Sequence, residues 1–342
     1  MKKFLCLTLA IITVITMLFT FGCGKEETLK LGLGVYSYYS SVDNAEGDDN
    51  GKVGVVSTIA AVLVDADGKI VKCVFDCADN SAKFTSDGKF VSEKEFKTKY
   101  EAKDGYGMAS SSYAQDINND GVVKEWFEQA DAFAALVVGK NADEVKALVA
   151  DNGRGTDEVM TAGCTILVSD FALAVEKALA ATVESKATAS DTLKLGVVTT
   201  QSGKDAEGED DGSNKLQTTF TAVASNADGK VTAMLSDCVE AEIKFDKNGV
   251  TSVTKSTEIV SKRTKGDSYN MVKYGTDLNG DGIVKEWYLQ ANEFDAACVG
   301  KTATEIAGLE SNGYGVDSLK SAGCTMVISD FVKATTKALS AN

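Results

Sequence analysis

The chain of 342 residues carries much of its sequence twice. The segment GVVKEWFEQADAFAALVVGK at 121–140 and the segment GIVKEWYLQANEFDAACVGK at 282–301 are identical at 12 of 20 positions, with an offset of 161 residues. Similarity between two parts of one chain at a constant offset indicates a repeated structural unit. We therefore expect two homologous domains, 29–183 and 193–342, joined by the small polar residues of a linker at 184–192.

The residues before the first repeat have the composition of a bacterial lipoprotein signal peptide. Two lysines precede a long apolar run that ends at Phe21, and Gly22 and Cys23 follow. We expect residues 1–22 to be removed, Cys23 to be acylated, for example with palmitate, and residues 23–28 to form a tether. An uncleaved signal anchor is the alternative, although the run is slightly short of the roughly 20 residues that a span needs. Either interpretation predicts a membrane-anchored protein on the extracellular face.

The charge and composition exclude several classes of function. The chain has a formal net charge of −15 and contains no histidine. A nucleic-acid partner is not expected, because the basic surface that such a partner requires is absent. Without imidazole, Ser-His-Asp triads and most zinc sites are also excluded. An electron carrier or a binding protein is therefore favoured over an enzyme with its own substrate.

Each repeat begins with a pattern that is typical of an antiparallel sheet. In the first copy, the segments 58–64 and 69–77 are rich in β-branched and apolar residues. Turn pairs that supply a positive φ recur at Asp67-Gly68, Asp87-Gly88, Asp228-Gly229 and Asn248-Gly249. We therefore expect a meandering sheet of hairpins in each repeat.

The second part of each repeat is predicted to be helical. Apolar residues recur at steps of four, three and four, at Trp126, Ala130, Phe133 and Val137 and at Trp287, Ala291, Phe294 and Cys298. Gly139 and Gly300 follow at the position typical of a helix end. Ser169-Asp170 and Ser329-Asp330 are expected to cap a last helix. The predicted fold class is α+β, with two homologous domains that each pack helices on one face of an antiparallel meander sheet.

Six cysteines remain after Cys6 and Cys23 are assigned to the signal peptide and the lipid anchor. Cys73 aligns with Met234 and Cys298 with Val137, so these two are expected to be buried apolar groups. The other four occupy matching positions of the two repeats, at Cys77, Cys164, Cys238 and Cys324. One disulfide in each repeat, Cys77 with Cys164 and Cys238 with Cys324, is a hypothesis for a protein outside the membrane, and four buried thiols are the alternative.

The segments DINNDG at 116–121 and DLNGDG at 277–282 resemble the start of a calcium loop. The candidate ligands are Asp116, Asn118, Asp120, Asp277, Asn279 and Asp281. The twelfth position of such a loop should be a glutamate, but Phe127 and Tyr288 occupy it. A polar turn stabilised by its own aspartates is therefore the alternative to a calcium site.

Both repeats contain the sequence Ala-Gly-Cys-Thr, which ends at Thr165 and at Thr325. Gly163 and Gly323 permit a positive φ or a close backbone approach. The small neighbours are expected to leave each threonine hydroxyl sterically open, ahead of a helix whose N-terminus favours an anion such as phosphate. A tight buried turn explains the same residues.

The order of these features resembles the FMN-binding domain of bacterial membrane-linked electron-transfer proteins. The shared features are the DGKI-type hairpin, a glycine-rich loop, an acidic residue followed by Gly-small-Thr, and a short last helix. The family motif is Ser-Gly-Ala-Thr, whose threonine a flavin transferase joins to the FMN phosphate. The resemblance implies Thr165 and Thr325 as the acceptors, with Asp157 and Asp317 upstream of them.

The resemblance implies a bacterial lipoprotein of two tandem domains that relays electrons through an FMN in each repeat. Tyr106 and Tyr269, which lie in predicted loops, are further candidate flavin contacts. The expected partners are the membrane, through the lipid anchor, a flavin transferase and a redox partner. The alternative is a non-catalytic surface binding module of the same fold, without flavin and stabilised by calcium.

Overall fold

The computed structural model of the protein describes residues 27–111, 116, 123–273, 275, 277, 280, 282 and 284–340. The predicted signal peptide and the acylated Cys23 lie outside these residues. The described chain combines antiparallel sheets with helices, so the α+β class is confirmed.

The first half of the chain forms one antiparallel sheet. Its strands are β1 (Lys30–Asp43), β2 (Gly51–Val64), β3 (Ile70–Phe84), β4 (Phe90–Val91) and, after the helices of this half, β5 (Val183–Glu184). The strand order is β4-β3-β2-β1-β5. Gly68 and Gly88 have φ values of +78° and +70° in the turns that follow β2 and β3. The predicted Asp-Gly turns are therefore confirmed, because glycine adopts this conformation without a steric penalty.

The second half forms another antiparallel sheet, from strands β6 (Thr192–Lys204), β7 (Gly212–Ser225) and β8 (Val231–Phe245). These strands pair in chain order. A short ribbon of β9 (Glu310–Ser311) and β10 (Tyr314–Gly315) lies later in the chain. Gly229 and Gly249 have φ values of +71° and +66° in the turns that follow β7 and β8.

The helices follow the strands of each half. They are α1 (Lys99–Ala102), α2 (Trp126–Val137), α3 (Ala142–Lys146), α4 (Asp157–Thr161), α5 (Ser169–Ala180), α6 (Lys262–Lys265), α7 (Trp287–Cys298), α8 (Ala303–Ala307), α9 (Asp317–Ser321) and α10 (Ser329–Ser340). The residues of the predicted apolar faces of α2 and α7 are all buried. The capping prediction is wrong for α5, because this helix begins at Ser169 itself and Val168 holds the N-cap without a side-chain hydrogen bond.

The two sheets pack face to face and share one hydrophobic core. Alternate residues of each strand point inward, among them Leu31, Ile59, Leu216 and Phe220. The rings of Phe84 and Phe245 stack between the sheets, with centroids 4.7 Å apart. Helices α2 and α5 cover the outer face of the first sheet, and α7 and α10 cover that of the second. The chain therefore forms four layers, in the order helix, sheet, sheet, helix.

Backbone hydrogen bonds also join the two halves along β1, beyond the two residues at its start that pair with β5. The amide of Ile259 donates to the carbonyl of Ser37, and the amide of Ser256 donates to that of Tyr39, both at 2.8 Å. The opposite edge is joined through side chains, because Asn80 on β3 donates to the Thr199 hydroxyl on β6 at 3.1 Å. The sandwich is thus held at both edges as well as through its core.

The segment that the sequence predicts as a linker packs against both halves. Ala187 is completely buried in the core that the two sheets share, and its carbonyl oxygen accepts a hydrogen bond from the Leu29 amide at 2.7 Å. The carboxylate of Asp191 accepts a hydrogen bond from the Thr232 hydroxyl at 2.7 Å. Residues 184–192 are therefore an ordered part of the interface between the two halves.

Two glycines let the outer helices approach the sheets closely. A Cβ atom at Gly34 would lie 2.2 Å from the carbonyl oxygen of Ala174 on α5, and one at Gly196 would lie 1.8 Å from that of Ala334 on α10. These distances are shorter than any van der Waals contact, so a side chain at either position would push the helix away. Among the described residues, no helix has both the length and the apolar character needed to cross a membrane.

Candidate functional site

Each half contains a cavity on the outer face of its sheet, under the covering helices and loops. The first cavity has a volume of about 430 Å³ and the second about 340 Å³, within the range of about 300–1,000 Å³ of small-ligand sites. Six lining residues are of the same type at equivalent positions: Lys99, Tyr106, Met108, Trp126, Phe171 and Cys77 in the first, and Lys262, Tyr269, Met271, Trp287, Phe331 and Cys238 in the second. The two cavities are therefore duplicates of one site.

The Ala-Gly-Cys-Thr loop of the first half is held to α2 by the side chain of Gln129. The Oε1 atom of Gln129 accepts hydrogen bonds from the Thr165 amide at 2.8 Å, the Ile166 amide at 3.1 Å and the Thr165 hydroxyl at 3.2 Å. Only 6% of the Thr165 surface is exposed. The expectation of a sterically open hydroxyl is therefore wrong for Thr165, although the next residues, Ile166 and Leu167, line the first cavity.

The second half repeats this arrangement with a more accessible threonine. Gln290 accepts from the Thr325 amide at 2.8 Å, from the Met326 amide at 2.9 Å and from the Thr325 hydroxyl at 3.2 Å. Thr325 is half-buried and itself lines the second cavity. Thr325 is thus less buried than Thr165, although its hydroxyl is bonded to the glutamine in the same way.

The glycine of each loop is required by its conformation and by a lysine that crosses it. Gly163 has a φ of +94°, and a Cβ atom there would lie 2.1 Å from Nζ of Lys124. The Lys124 ammonium donates to the carbonyl oxygen of Ala162 at 3.3 Å. Gly323, with a φ of +100°, lies under Lys285 in the same way. The predicted need for a positive φ and a close approach is confirmed at both glycines.

A lysine with a largely buried side chain is a central feature of each cavity. Nζ of Lys99 lies 3.1 Å from the Asp79 carboxylate and 5.0 Å from the centroid of the Tyr106 ring. Nζ of Lys262 lies 2.9 Å from the Glu240 carboxylate and 5.0 Å from the Tyr269 ring. Burial lowers the pKa of Lys262, but the neighbouring acidic groups raise it more, so it ends above the ordinary value. Both lysines are therefore cations that interact with a tyrosine face.

A glutamate at the start of each Trp helix positions the tyrosine segment. The carboxylate of Glu125 accepts from the backbone amides of Met108 at 2.8 Å and Ala109 at 3.2 Å. Glu286 accepts from the amides of Met271 at 2.8 Å and Val272 at 3.4 Å. These bonds fix the loop that carries the cavity tyrosine and methionine relative to the tryptophan.

No protein-family model, curated protein or solved structure matches this chain. The two cavities of the chain can be compared with each other, because the duplication places related residues in both. It singles out side chains that occupy equivalent places in both cavities.

Sequence reasoning missed the lysines and the glutamines of the two sites. The signal was present, because a lysine precedes the cavity tyrosine by seven residues in both copies, at Lys99 and Lys262. Gln129 and Gln290 likewise follow the tryptophan by three residues in each copy. Identity between repeats at a polar position marks these side chains, although it does not show what they contact.

Several predicted site residues lie away from the cavities or outside the described residues. Asp157 and Asp317 are exposed first residues of α4 and α9 and do not line the cavities. Of the calcium candidates, Asn118, Asp120, Asn279 and Asp281 lie outside the described residues. Asp277 accepts from the amides of Gly280 and Gly282 at 2.7 and 2.8 Å, as the alternative of a capped polar turn predicts. In the described part of the chain, no three acidic or thiol groups form a potential metal site.

The predicted disulfides are not formed in the structure. Cys77, Cys164, Cys238 and Cys324 are buried free thiols, as are Cys73 and Cys298. The Sγ atom of Cys77 instead lies 3.8 Å from the Thr58 hydroxyl, which donates to it across neighbouring strands. Burial raises the pKa of Cys77 to about 12, so this thiol remains protonated at neutral pH.

Proposed function

We propose that the chain consists of two homologous domains, each of which holds one FMN in its cavity, and that it relays electrons from a lipid anchor on the extracellular face. The observation that carries this proposal is the duplicated cavity, lined by aromatic side chains and a largely buried lysine beside a threonine loop. Duplication of six lining side chains, and of the glutamine that holds the loop, is expected if both halves retain a related ligand.

The residues of each cavity fit a flavin ring. Trp126, Phe171 and Met108 offer apolar surfaces to a planar ring, and Tyr106 adds an aromatic face. Lys99 offers a positive charge, which would stabilise negative charge on the reduced ring. When bound, FMN would supply one- and two-electron redox chemistry that the side chains themselves lack. The protein would bind and orient the ring and shield it from water.

The threonine loops supply the second part of the proposal. Thr325 is adjacent to its cavity and is the better placed of the two acceptors for a phosphoester. Attachment would require either hydroxyl to leave the glutamine that holds it at 3.2 Å, but Thr165 is in addition buried and does not line its cavity. A flavin transferase that acts on this chain would therefore modify Thr325 more readily than Thr165.

The position of the cavities indicates how such a relay would work. They lie on the two outer faces of the sandwich, separated by two sheets whose planes are roughly 10 Å apart and by the core around Phe84 and Phe245. Each site would therefore exchange electrons with an external redox partner more readily than with the other site.

The test is to co-express the chain with a flavin transferase and to measure flavin fluorescence that survives denaturation and electrophoresis. We expect covalent flavin in the wild type, a decrease in Thr325→Ala and complete loss in the Thr165→Ala, Thr325→Ala double variant. Thr325→Ser, which keeps the hydroxyl, and Thr161→Ala, which changes an exposed threonine of α4, are the controls. A wild-type protein without flavin under these conditions would refute the proposal.

The second candidate function is a surface binding module that uses the same cavities without flavin. It is favoured by the buried Thr165, whose hydroxyl is already bonded within the protein. This candidate predicts a colourless protein in which small aromatic ligands still bind both cavities. Quenching of the Trp126 and Trp287 fluorescence by such ligands would distinguish it from a protein with no ligand at all.

A further inference from the structure

We propose that the first cavity selects a ligand that carries a phosphate group, and that the second cavity does not distinguish a phosphorylated ligand from its unphosphorylated form. The identity of the ligand rests on the proposed function, with FMN as the phosphorylated and riboflavin as the unphosphorylated form. The selectivity itself is argued from a difference in charge between the two threonine loops.

Arg154 gives the first loop a cation that is suited to phosphate. Its side chain lines the first cavity, and its Nη1 atom donates to the carbonyl oxygen of Thr165. Among the described residues, it forms no ion pair with a carboxylate. A guanidinium group has five donors in a planar arrangement that matches phosphate oxygens, and one bond to a carbonyl leaves the others for a ligand.

Lys124 adds a second positive charge at the same loop. Its ammonium group crosses Gly163 and donates to the Ala162 carbonyl at 3.3 Å. Within the described part of the chain, it too has no carboxylate in ion-pair contact. The loop that ends at Thr165 is therefore flanked by two cations on separate elements.

In the second half, the arginine is replaced and the lysine is ion-paired. Tyr314 replaces Arg154, and the two residues are equivalent because each forms an isolated β-bridge with the exposed apolar residue that follows its loop, Leu167 or Val327. Lys285 occupies the place of Lys124, but its Nζ atom is 2.8 Å from the Glu293 carboxylate. The first repeat has Ala132 at the position of Glu293. The positive charge at the Thr325 loop is therefore neutralised.

Neither carboxylate that lines the first cavity is in ion-pair contact with Arg154 or Lys124. Asp79 is paired with Lys99 at 3.1 Å. Asp170 accepts hydrogen bonds from the hydroxyls of Tyr38 at 3.2 Å and Ser169 at 3.3 Å. Arg154 and Lys124 thus remain as the cations that a ligand phosphate would neutralise.

The test compares FMN with riboflavin, which share the same ring, on the full chain produced without a flavin transferase. Binding is measured by flavin fluorescence for the wild type, Arg154→Tyr, Arg154→Lys and Tyr314→Arg. We expect the wild type to have one site that prefers FMN by roughly tenfold or more, as for a charge-assisted hydrogen bond. Arg154→Tyr should lose this preference and keep riboflavin binding, and Arg154→Lys should keep part of it. Tyr314→Arg should create a second FMN-selective site.

A parallel measurement with inorganic phosphate separates the two proposals. Phosphate should raise the melting temperature of the wild type but not that of Arg154→Tyr. If flavins bind equally well to the wild type and Arg154→Tyr, and phosphate acts on both alike, the selectivity is refuted while the flavin function stands. If neither flavin binds but phosphate stabilisation depends on Arg154, the flavin function is refuted and the phosphate site stands.

Discussion

The carboxamide oxygen of Gln129 accepts hydrogen bonds from both the amide and the hydroxyl of Thr165, at 2.8 and 3.2 Å. Gln290 makes the same pair of bonds to Thr325. A single buried side chain therefore holds both the backbone and the hydroxyl of each threonine. Each glutamine lies on a helix, α2 or α7, and the threonine that it binds lies on a loop about 35 residues later. The hydrogen bonds therefore also join two segments that are distant in the sequence.

We expect Gln129→Leu to lower the free energy of unfolding by about 3 kcal/mol, because it leaves the buried amides of Thr165 and Ile166 without an acceptor. Chemical denaturation monitored by circular dichroism measures this change. Glu176→Gln, at an exposed position of α5, should have no effect and serves as the control. A stability equal to that of the wild type would show that the loop does not depend on Gln129.

Substitution of Gly163 tests the close approach of Lys124. Gly163→Ala should destabilise the protein by roughly 1–3 kcal/mol, because alanine is strained at a φ of +94° and its Cβ would meet the Lys124 side chain. Adding Lys124→Ala should recover the part due to the clash but not the part due to backbone strain. Gly105→Ala is the control, since a Cβ there meets no atom within 4 Å. Equal stabilities of Gly163→Ala and Gly105→Ala would contradict the assignment.

Asp76 should make the stability fall as the pH rises from 4 to 7. Burial raises the pKa of this carboxyl from 3.8 to about 6, although hydrogen bonds from Thr98 and from the amides of Cys77 and Tyr100 oppose the shift. Because the folded-state pKa is the higher one, the contribution is complete below pH 4 and is lost through pH 6. The loss is about 3 kcal/mol at most. Asp76→Asn should remove this pH dependence of the free energy of unfolding, which is measured by unfolding the wild type and the variant at pH 4 and pH 7. An equal loss of stability in the two proteins would contradict the assignment to Asp76.

The shared core predicts that the two sheets depend on each other. Phe84→Ala should cost roughly 3–5 kcal/mol, as for a large buried aromatic. A double-mutant cycle with Phe245→Ala should give a coupling of about 0.5–1.5 kcal/mol for the stacked pair. Val183→Ala, at an exposed position, is the control. Additive effects of the two phenylalanine variants would mean that the rings do not interact.

The six described cysteines should be unreactive in the native protein. All are buried free thiols, and burial raises the pKa of Cys164 and of Cys238 to about 12. A thiol reagent should therefore label them only after denaturation, without a reducing agent. If the denatured protein required reduction before labelling, the disulfides predicted from the sequence would be present after all.

Much of the local structure could be predicted because its causes are local. The spacing of Trp126, Ala130, Phe133 and Val137 identifies α2, since a helix places these residues on one face. Asp-Gly pairs identify the hairpin turns, because glycine reaches a positive φ. The duplication identifies the threonine loops and both sets of cysteines from the sequence alone.

The sequence by itself thus determined the elements, their repetition and the α+β class. Only the tertiary structure decided that the inner faces of the two sheets cover each other, although the almost continuous burial of β2 is consistent with a strand covered on both faces. It also decided that Lys99 faces Tyr106 in a cavity and that Gln129 holds Thr165. The physical reason is that periodicity and turn residues act over a few positions, whereas these contacts join distant parts of the chain through packing that no local pattern specifies.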